Sequence, residues 1–153
     1  MAELTIGSMA PDFSLEGDDG KKHSLKEFRG KKIVLYFYPK DDTSGCTKES
    51  CSFRDNLSSI KDKGAVVLGV SADGTDSHRK FVSKYDLNFP LLSDESKSVL
   101  ETYGVWKLKS FMGRKYMGIE RTTIIIDEKG KISHIFPKVK VDGHTEEVLN
   151  ALS

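Results

Sequence analysis

The sequence predicts an α/β fold, and three patterns carry that expectation. Two fully apolar runs, Ile33 to Tyr38 and Ala65 to Ser71, have the length and β-branched content of buried strands. Between them Phe53, Leu57 and Ile60 recur at spacings of four and three, the stripe of a core-facing helix. Near the end, Thr122 to Asp127 and Lys131 to Phe136 read as strands around the turn Asp127, Glu128, Lys129, Gly130. Strand, helix, strand in that order implies a parallel pair with a right-handed crossover, to which the last two strands add an antiparallel hairpin.

The remaining elements follow in chain order. Phe13 and Leu15 alternate with polar Asp12, Ser14 and Glu16, and Asp18 to Gly20 turn the chain into a second short strand, Lys22 to Leu25. This predicts an N-terminal β-hairpin. Ser24 can cap a helical turn over Leu25 to Phe28. The helix after the first apolar strand is expected to run on to Lys63 and Gly64, where glycine accepts the left-handed conformation that ends a helix. A second helix opens at Thr75 or Asp76 with the stripe Phe81, Val82 and Tyr85, Phe89 to Leu92 forms a short strand, and a third helix carries Val99, Leu100 and Tyr103. Val105 to Gly118 mixes aromatics with Lys107, Lys109, Arg114 and Lys115 and has no clean period, so a loop that exposes its lysines is expected. A final helix from Thr145 buries Val148, Leu149 and Leu152.

A chain of 153 residues suits one domain, residues 1–153, with a full hydrophobic core. Its 24 basic and 23 acidic residues leave a net charge of +1, which argues against nucleic acid or an anionic membrane surface as partner. The segment MAELTIGSMAPDF lacks the pattern of a secretory leader, and no window reaches membrane-spanning length. The expectation is a soluble, cytoplasmic protein. His23, His78, His134 and His144 are scattered singly, and two cysteines make no metal-ligand pair with them, so no metal is expected. Without a phosphate-binding glycine loop or a dinucleotide fingerprint, no cofactor is expected either.

The chemistry gathers in Tyr36 to Cys51, YFYPKDDTSGCTKESC. The apolar strand stops at Pro39, which cannot donate to a sheet ladder, and Lys40 to Gly45 form a connection that places Cys46 in the first turn of a helix. Free N–H groups and the helix dipole favour a thiolate there, and Lys48 and Arg54 are local sources of further positive charge. Stepping back seven residues from Phe53 puts Cys46 on the core-facing stripe. Cys51 lies five residues on, about 140° around the helix and roughly 7.5 Å along it. A disulfide needs Cα atoms within about 7 Å and facing Cβ vectors. The cysteines are therefore two unrelated thiols, or a pair that forms only when the first turns unwind.

Pro39, Thr43 and Cys46 match the PxxxTxxC signature of the peroxiredoxins, with Glu49 where that family often has an acid. The second cysteine five residues after the first resembles the peroxiredoxin Q class, also called bacterioferritin comigratory protein. The resemblance extends through APDFSL (Ala10 to Leu15), KIVLYFYPKD, YGVW (Tyr103 to Trp106) and GIERTTIIID (Gly118 to Asp127). Ser44 departs from it, standing where the class usually has proline; this makes the turn less rigid and removes no chemical group.

The resemblance implies a thioredoxin-like fold, a mixed sheet flanked by helices, and a peroxidase acting on hydrogen peroxide and organic hydroperoxides. Cys46 would be the peroxidatic thiol, forming a sulfenic acid that condenses with the resolving Cys51; thioredoxin or a similar dithiol protein would reduce the disulfide. Thr43 would set its hydroxyl against the thiolate or a peroxide oxygen, and Pro39 would exclude water. Arg121, at the position of the family's active-site arginine, would favour the thiolate and hold peroxide oxygens. Glu49 would orient Arg121, and the class implies a monomer.

Taken singly, each of these residues has an ordinary structural use: free cysteine packs as a small hydrophobe, and arginine is mostly solvated. Their joint occurrence in a suitable α/β order is what points to catalysis. Two other functions compete. A thioredoxin-type oxidoreductase usually carries CxxC, whereas four residues separate these cysteines. A redox-responsive binding protein would use the unwinding helix but has no need of Thr43 and Arg121 around the thiol.

Overall fold

The computed structural model describes residues 4–153. A seven-stranded mixed sheet runs in the order β2-β1-β5-β4-β3-β8-β9, with β3 (Lys32–Phe37) near its middle. β3 pairs in parallel with β4 (Ala65–Ser71) and antiparallel with β8 (Thr122–Ile126). β4 pairs in parallel with β5 (Leu91–Ser93), and β8 pairs antiparallel with β9 (Ile132–Phe136). The N-terminal hairpin, β1 (Ser14–Gly17) and β2 (Lys22–Ser24), joins the far edge through β5. A 3-10 turn at Leu25–Phe28 follows, where Glu27 accepts the backbone N–H of Ser24 at 3.0 Å.

Because β3 is covered on both faces, its alternation hides no polar residue. Ile33, Leu35 and Phe37 join the core that includes Phe13, Leu68, Leu100 and Ile124. Val34, Tyr36 and Tyr38 point the other way, into a layer with Phe53, Leu57, Ile60, Phe81 and Val148. That second layer is roofed by α1 (Ser44–Asp55), α2 (Leu57–Asp62), α3 (Thr75–Tyr85) and α5 (His144–Leu152). α4 (Ser98–Thr102) contributes Val99 and Leu100 to the first.

Three expectations need correction. The helix after β3 is interrupted: Asn56 leaves helical geometry (φ −109°, ψ 10°), and its side-chain amide donates to the Ser52 carbonyl at 2.8 Å. Asparagine competes in this way for backbone groups, which is why it ends helices. The short strand before α4 lies at Leu91–Ser93 rather than Phe89 to Leu92.

The largest difference is at Val105 to Gly118, which is a two-stranded hairpin, β6 (Trp106–Phe111) and β7 (Arg114–Ile119), rather than a loop. Met112 and Gly113 turn it with φ of 51° and 79°, the paired positive values of a type I′ turn. Leu108, Phe111, Met112, Tyr116 and Met117 remain exposed. With burial confined to Trp106, Lys109, Gly118 and Ile119 and the rest open to solvent, nothing imposed a period of two on its sequence.

Candidate active site

The site forms where the chain leaves β3. Tyr38 still donates its N–H to Val70 O at 3.1 Å; half-buried Pro39 then ends the ladder, and Lys40 to Thr43 turn toward α1. Thr43 has extended backbone (φ −87°, ψ 156°), and its carbonyl accepts the first helical bond, from Thr47 N–H at 2.8 Å. The N–H of Cys46 precedes that bond and belongs to the unpaired set at the helix start. Cys46 itself is fully buried, among Tyr36, Tyr38 and Phe53.

Sheet register brings Arg121 to the same place. Thr122 pairs with Phe37, so Arg121, in the link between β7 and β8, lies where β3 hands the chain to the turn. One guanidinium nitrogen, Nη2, donates to Cys46 Sγ at 3.3 Å; the other, Nη1, donates to Glu49 Oε1 at 2.7 Å. Gly45 makes room for this: a Cβ there would lie 3.1 Å from Arg121 Nη2.

The Arg121 side chain is 17% exposed and that of Glu49 only 2%. Burial pushes Glu49 up to about 7 against the opposing pull of Arg121. Its second oxygen, Oε2, is buried with no hydrogen-bond partner among the described residues. Burial works against the charge of Arg121, but Glu49 and Cys46 together hold its pKa above the ordinary arginine value. The cluster is a cation locked between a thiol and a carboxyl group, out of bulk water.

The other residues singled out from sequence are placed differently. The Thr43 hydroxyl donates to the Lys40 carbonyl at 2.9 Å, so its proton closes the turn and is not directed at Cys46. Lys48 pairs outward with Asp142, while Arg54 donates from Nε to Asp55 at 2.9 Å and from Nη1 to the Tyr85 carbonyl at 2.5 Å. Neither supplies the charge beside Cys46; Arg121 does. Cys51 lies on the same unbroken helix as Cys46, half-buried, and both cysteines are free.

Sequence reasoning missed two contributors. Lys109, on the β6–β7 hairpin, is half-buried rather than exposed; burial and the charge of Arg121 hold its pKa below the usual lysine value, with Cys46 and Glu120 acting the other way. It is a second cation in electrostatic reach of the thiol, and its only sequence signal was alternation with Trp106 and Leu108. Asp41 and His78, described below, were the other omission.

Residues 6–135 match the AhpC/TSA family. The chain belongs to that family. It is 48% identical over 149 residues to peroxiredoxin Bcp of Bacillus subtilis, covering 97% of this chain and 95% of that one. Among solved structures it resembles a PrxQ cysteine-to-serine mutant from Xylella fastidiosa, with TM-score 0.93 and 35% identity over 99% of this chain and 97% of that one. It also resembles the bacterioferritin comigratory protein of Xanthomonas campestris, a structure described for alkyl peroxide reduction, with TM-score 0.87 and 38% identity over 92% and 89% of the two chains. The fold is thus the thioredoxin-like one of the peroxiredoxin Q class, and the chain is a thiol-dependent peroxidase. Among the described residues, no helix is long and apolar enough to cross a membrane.

Proposed function

We propose that Cys46 is the peroxidatic thiol, Cys51 the resolving thiol, and Arg121 the group that activates the first and holds the substrate. The observation that carries this reading is Arg121 bridging Cys46 Sγ at 3.3 Å and Glu49 at 2.7 Å inside a buried site at a helix N-terminus. The Cys46 sulfur attacks one oxygen of the hydroperoxide, the O–O bond breaks, and the other oxygen leaves with a proton as water or alcohol. Fixed N–H donors from Arg121 and the helix start stabilise charge spreading onto the oxygens, where excluded water makes them most effective. Thr43, its proton committed to Lys40, offers lone pairs to the peroxide O–H. Pro39 walls the turn side, and Glu49 fixes the rotamer of Arg121.

The sulfenic acid then meets Cys51. The Cys51 sulfur attacks the Cys46 sulfur, the S–O bond breaks, water leaves, and a disulfide forms. Both thiols lie on α1, so the pairing stays within one chain and needs no second subunit. Because α1 must open to allow it, the oxidised segment is exposed to a thioredoxin-like dithiol protein, which returns two electrons and two protons. A cytoplasmic setting suits a cycle that begins from reduced Cys46. The substrates are hydrogen peroxide and organic hydroperoxides, in keeping with the alkyl peroxide reduction described for the Xanthomonas relative.

Thiol counting with intact mass after one equivalent of hydrogen peroxide tests the reading. Loss of two thiols with a fall of two hydrogens in mass is the expected result. An unreacted chain would return Cys46 and Cys51 to structural roles.

A further inference from the structure

The turn that delivers Cys46 is clamped to the body of the protein by a buried pair that the peroxide chemistry does not use. Asp41, 8% exposed, accepts from the Tyr38 hydroxyl at 2.6 Å through Oδ1 and from the Ser77 hydroxyl at 2.8 Å through Oδ2. The same Oδ2 lies 2.7 Å from Nδ1 of His78, a fully buried residue of α3. The other imidazole nitrogen, Nε2, is 2.9 Å from the Leu92 carbonyl, which can only accept. Nε2 therefore carries hydrogen. A neutral ring would then present the Nδ1 lone pair to a carboxylate oxygen, and a 2.7 Å contact between two acceptors is repulsive. The contact holds a shared proton.

The surroundings agree. Burial opposes charge on His78, but the hydrogen bond and charge of Asp41 outweigh it, with the Leu92 carbonyl and Asp73 adding, and its pKa lies above the usual histidine value. Tyr38 faces the pair from the end of β3, and Asp73 from the end of β4, where it accepts from the Asp41 backbone N–H at 2.8 Å and from Ser71 Oγ at 2.7 Å. The next residue, Asp42, has φ of 58° and binds Lys84 Nζ at 2.8 Å and the Tyr85 hydroxyl at 2.7 Å. Both acids of the turn are thus tied to α3 and the sheet rather than to α1, which starts two residues later.

We propose that His78 is a positioning residue: through the proton it shares with Asp41 it holds the turn and Cys46 in the geometry of peroxide attack, and loss of that proton frees the turn for disulfide formation. The proposal rests on the reading of Cys46 and Cys51 above. It divides the two chemical steps by pH. Attack uses the clamped form; condensation needs α1 open, so it speeds up as rising pH takes the proton from His78.

Rapid-quench alkylation with mass analysis between pH 5.5 and 8.5 reads sulfenic acid and disulfide separately in the full chain. In His78→Asn, disulfide formation at pH 6 should be about tenfold faster, as expected for loss of a charge-assisted hydrogen bond. Its pH profile should lose one inflection. Ser77→Ala, which takes one bond from the same carboxylate and leaves the proton, should give a smaller acceleration and keep the inflection. Should His78→Asn not fold, Ser77→Ala and the ring resonances of His78 in the wild type still decide. An unchanged rate of disulfide formation in either folded variant, or a His78 ring that stays neutral throughout the range, overturns the clamp. Failure of the wild type to form sulfenic acid at all would instead overturn the assignment of Cys46.

Discussion

Two sulfur atoms five residues apart on α1 meet unlike surroundings. Cys46 is fully buried, takes a hydrogen bond from Arg121 and sits at the helix start; Cys51 is half-buried, in mid-helix, with no hydrogen bond to its sulfur among the described residues. The first environment is built to make a thiol react and to keep water away. The second makes no such provision, so in the proposed cycle Cys51 meets its partner only when the helix opens. In the proposed cycle the reactivity of Cys46 comes from the end of a helix and from Arg121 in the link between β7 and β8, and the same helix keeps the second thiol at a distance.

The sharpest way to break this contrast is to exchange each sulfur for oxygen. Cys46→Ser should abolish peroxide consumption, a loss of at least about 10³-fold, since a serine hydroxyl is a far weaker nucleophile at neutral pH. Cys51→Ser should form sulfenic acid at nearly the wild-type rate yet lose turnover supported by a dithiol protein. Stopped-flow oxidation and steady-state turnover measure the two. Equal loss of sulfenic acid formation in both variants would erase the difference.

Arg121→Ala comes next. It removes the donor to Cys46 Sγ and strands buried Glu49, and the loss of one preorganised donor to developing charge typically costs about 10²-fold. Second-order oxidation rates with hydrogen peroxide check this; a rate within a factor of two of the wild type would reject the role given to Arg121.

How much of this was legible beforehand follows from where each pattern arises. β3, the α1–α2 stretch and the C-terminal hairpin were readable because burial on known faces imposes apolar runs or stripes on Ile33 to Tyr38, Phe53 to Ile60 and Thr122 to Ile126. The β6–β7 hairpin was not, since a ribbon mostly open to solvent leaves no such trace. Arg121 stood out by its resemblance to a family pattern; nothing in its own neighbourhood said that the register of β8 against β3 would set it beside Cys46. His78 looked like an isolated histidine because its partner is 37 residues away in the chain. The signal that would have found it is an acid in the turn after β3 and a histidine one turn into α3, the helix that follows β4.

A milder change acts on the support of Arg121. Glu49→Gln keeps the shape and removes a carboxyl group whose pKa burial raises from 4.5 to about 7. A raised carboxyl pKa contributes stability that is complete below its unfolded value and is lost as pH climbs through the folded one. Wild-type stability should therefore decline between about pH 4.5 and 7, by at most ~1.4 kcal/mol per pH unit from this group. The slope should be shallower in Glu49→Gln, with peroxide oxidation a few-fold slower because Arg121 is held less firmly. Urea midpoints across that range test the first part, and an unchanged slope would count against a buried, titrating Glu49.

The smallest expected effect is also the most selective. Ser44 occupies the first position of α1, where proline is well tolerated because that N–H has no helical partner. Proline also restricts the residue before it to extended backbone, and Thr43 already has φ −87° and ψ 156°. Ser44→Pro should therefore fit without strain and stabilise the intact helix start by about 0.4–1 kcal/mol, chiefly by limiting the opened chain. Attack of Cys46 on the peroxide uses the intact helix and should be unchanged. Disulfide formation needs the helix open, so it should slow by about two- to fivefold, the rate equivalent of that free energy. If rapid-quench measurements showed both steps slowed alike, the opening of α1 would not be what separates Cys46 from Cys51.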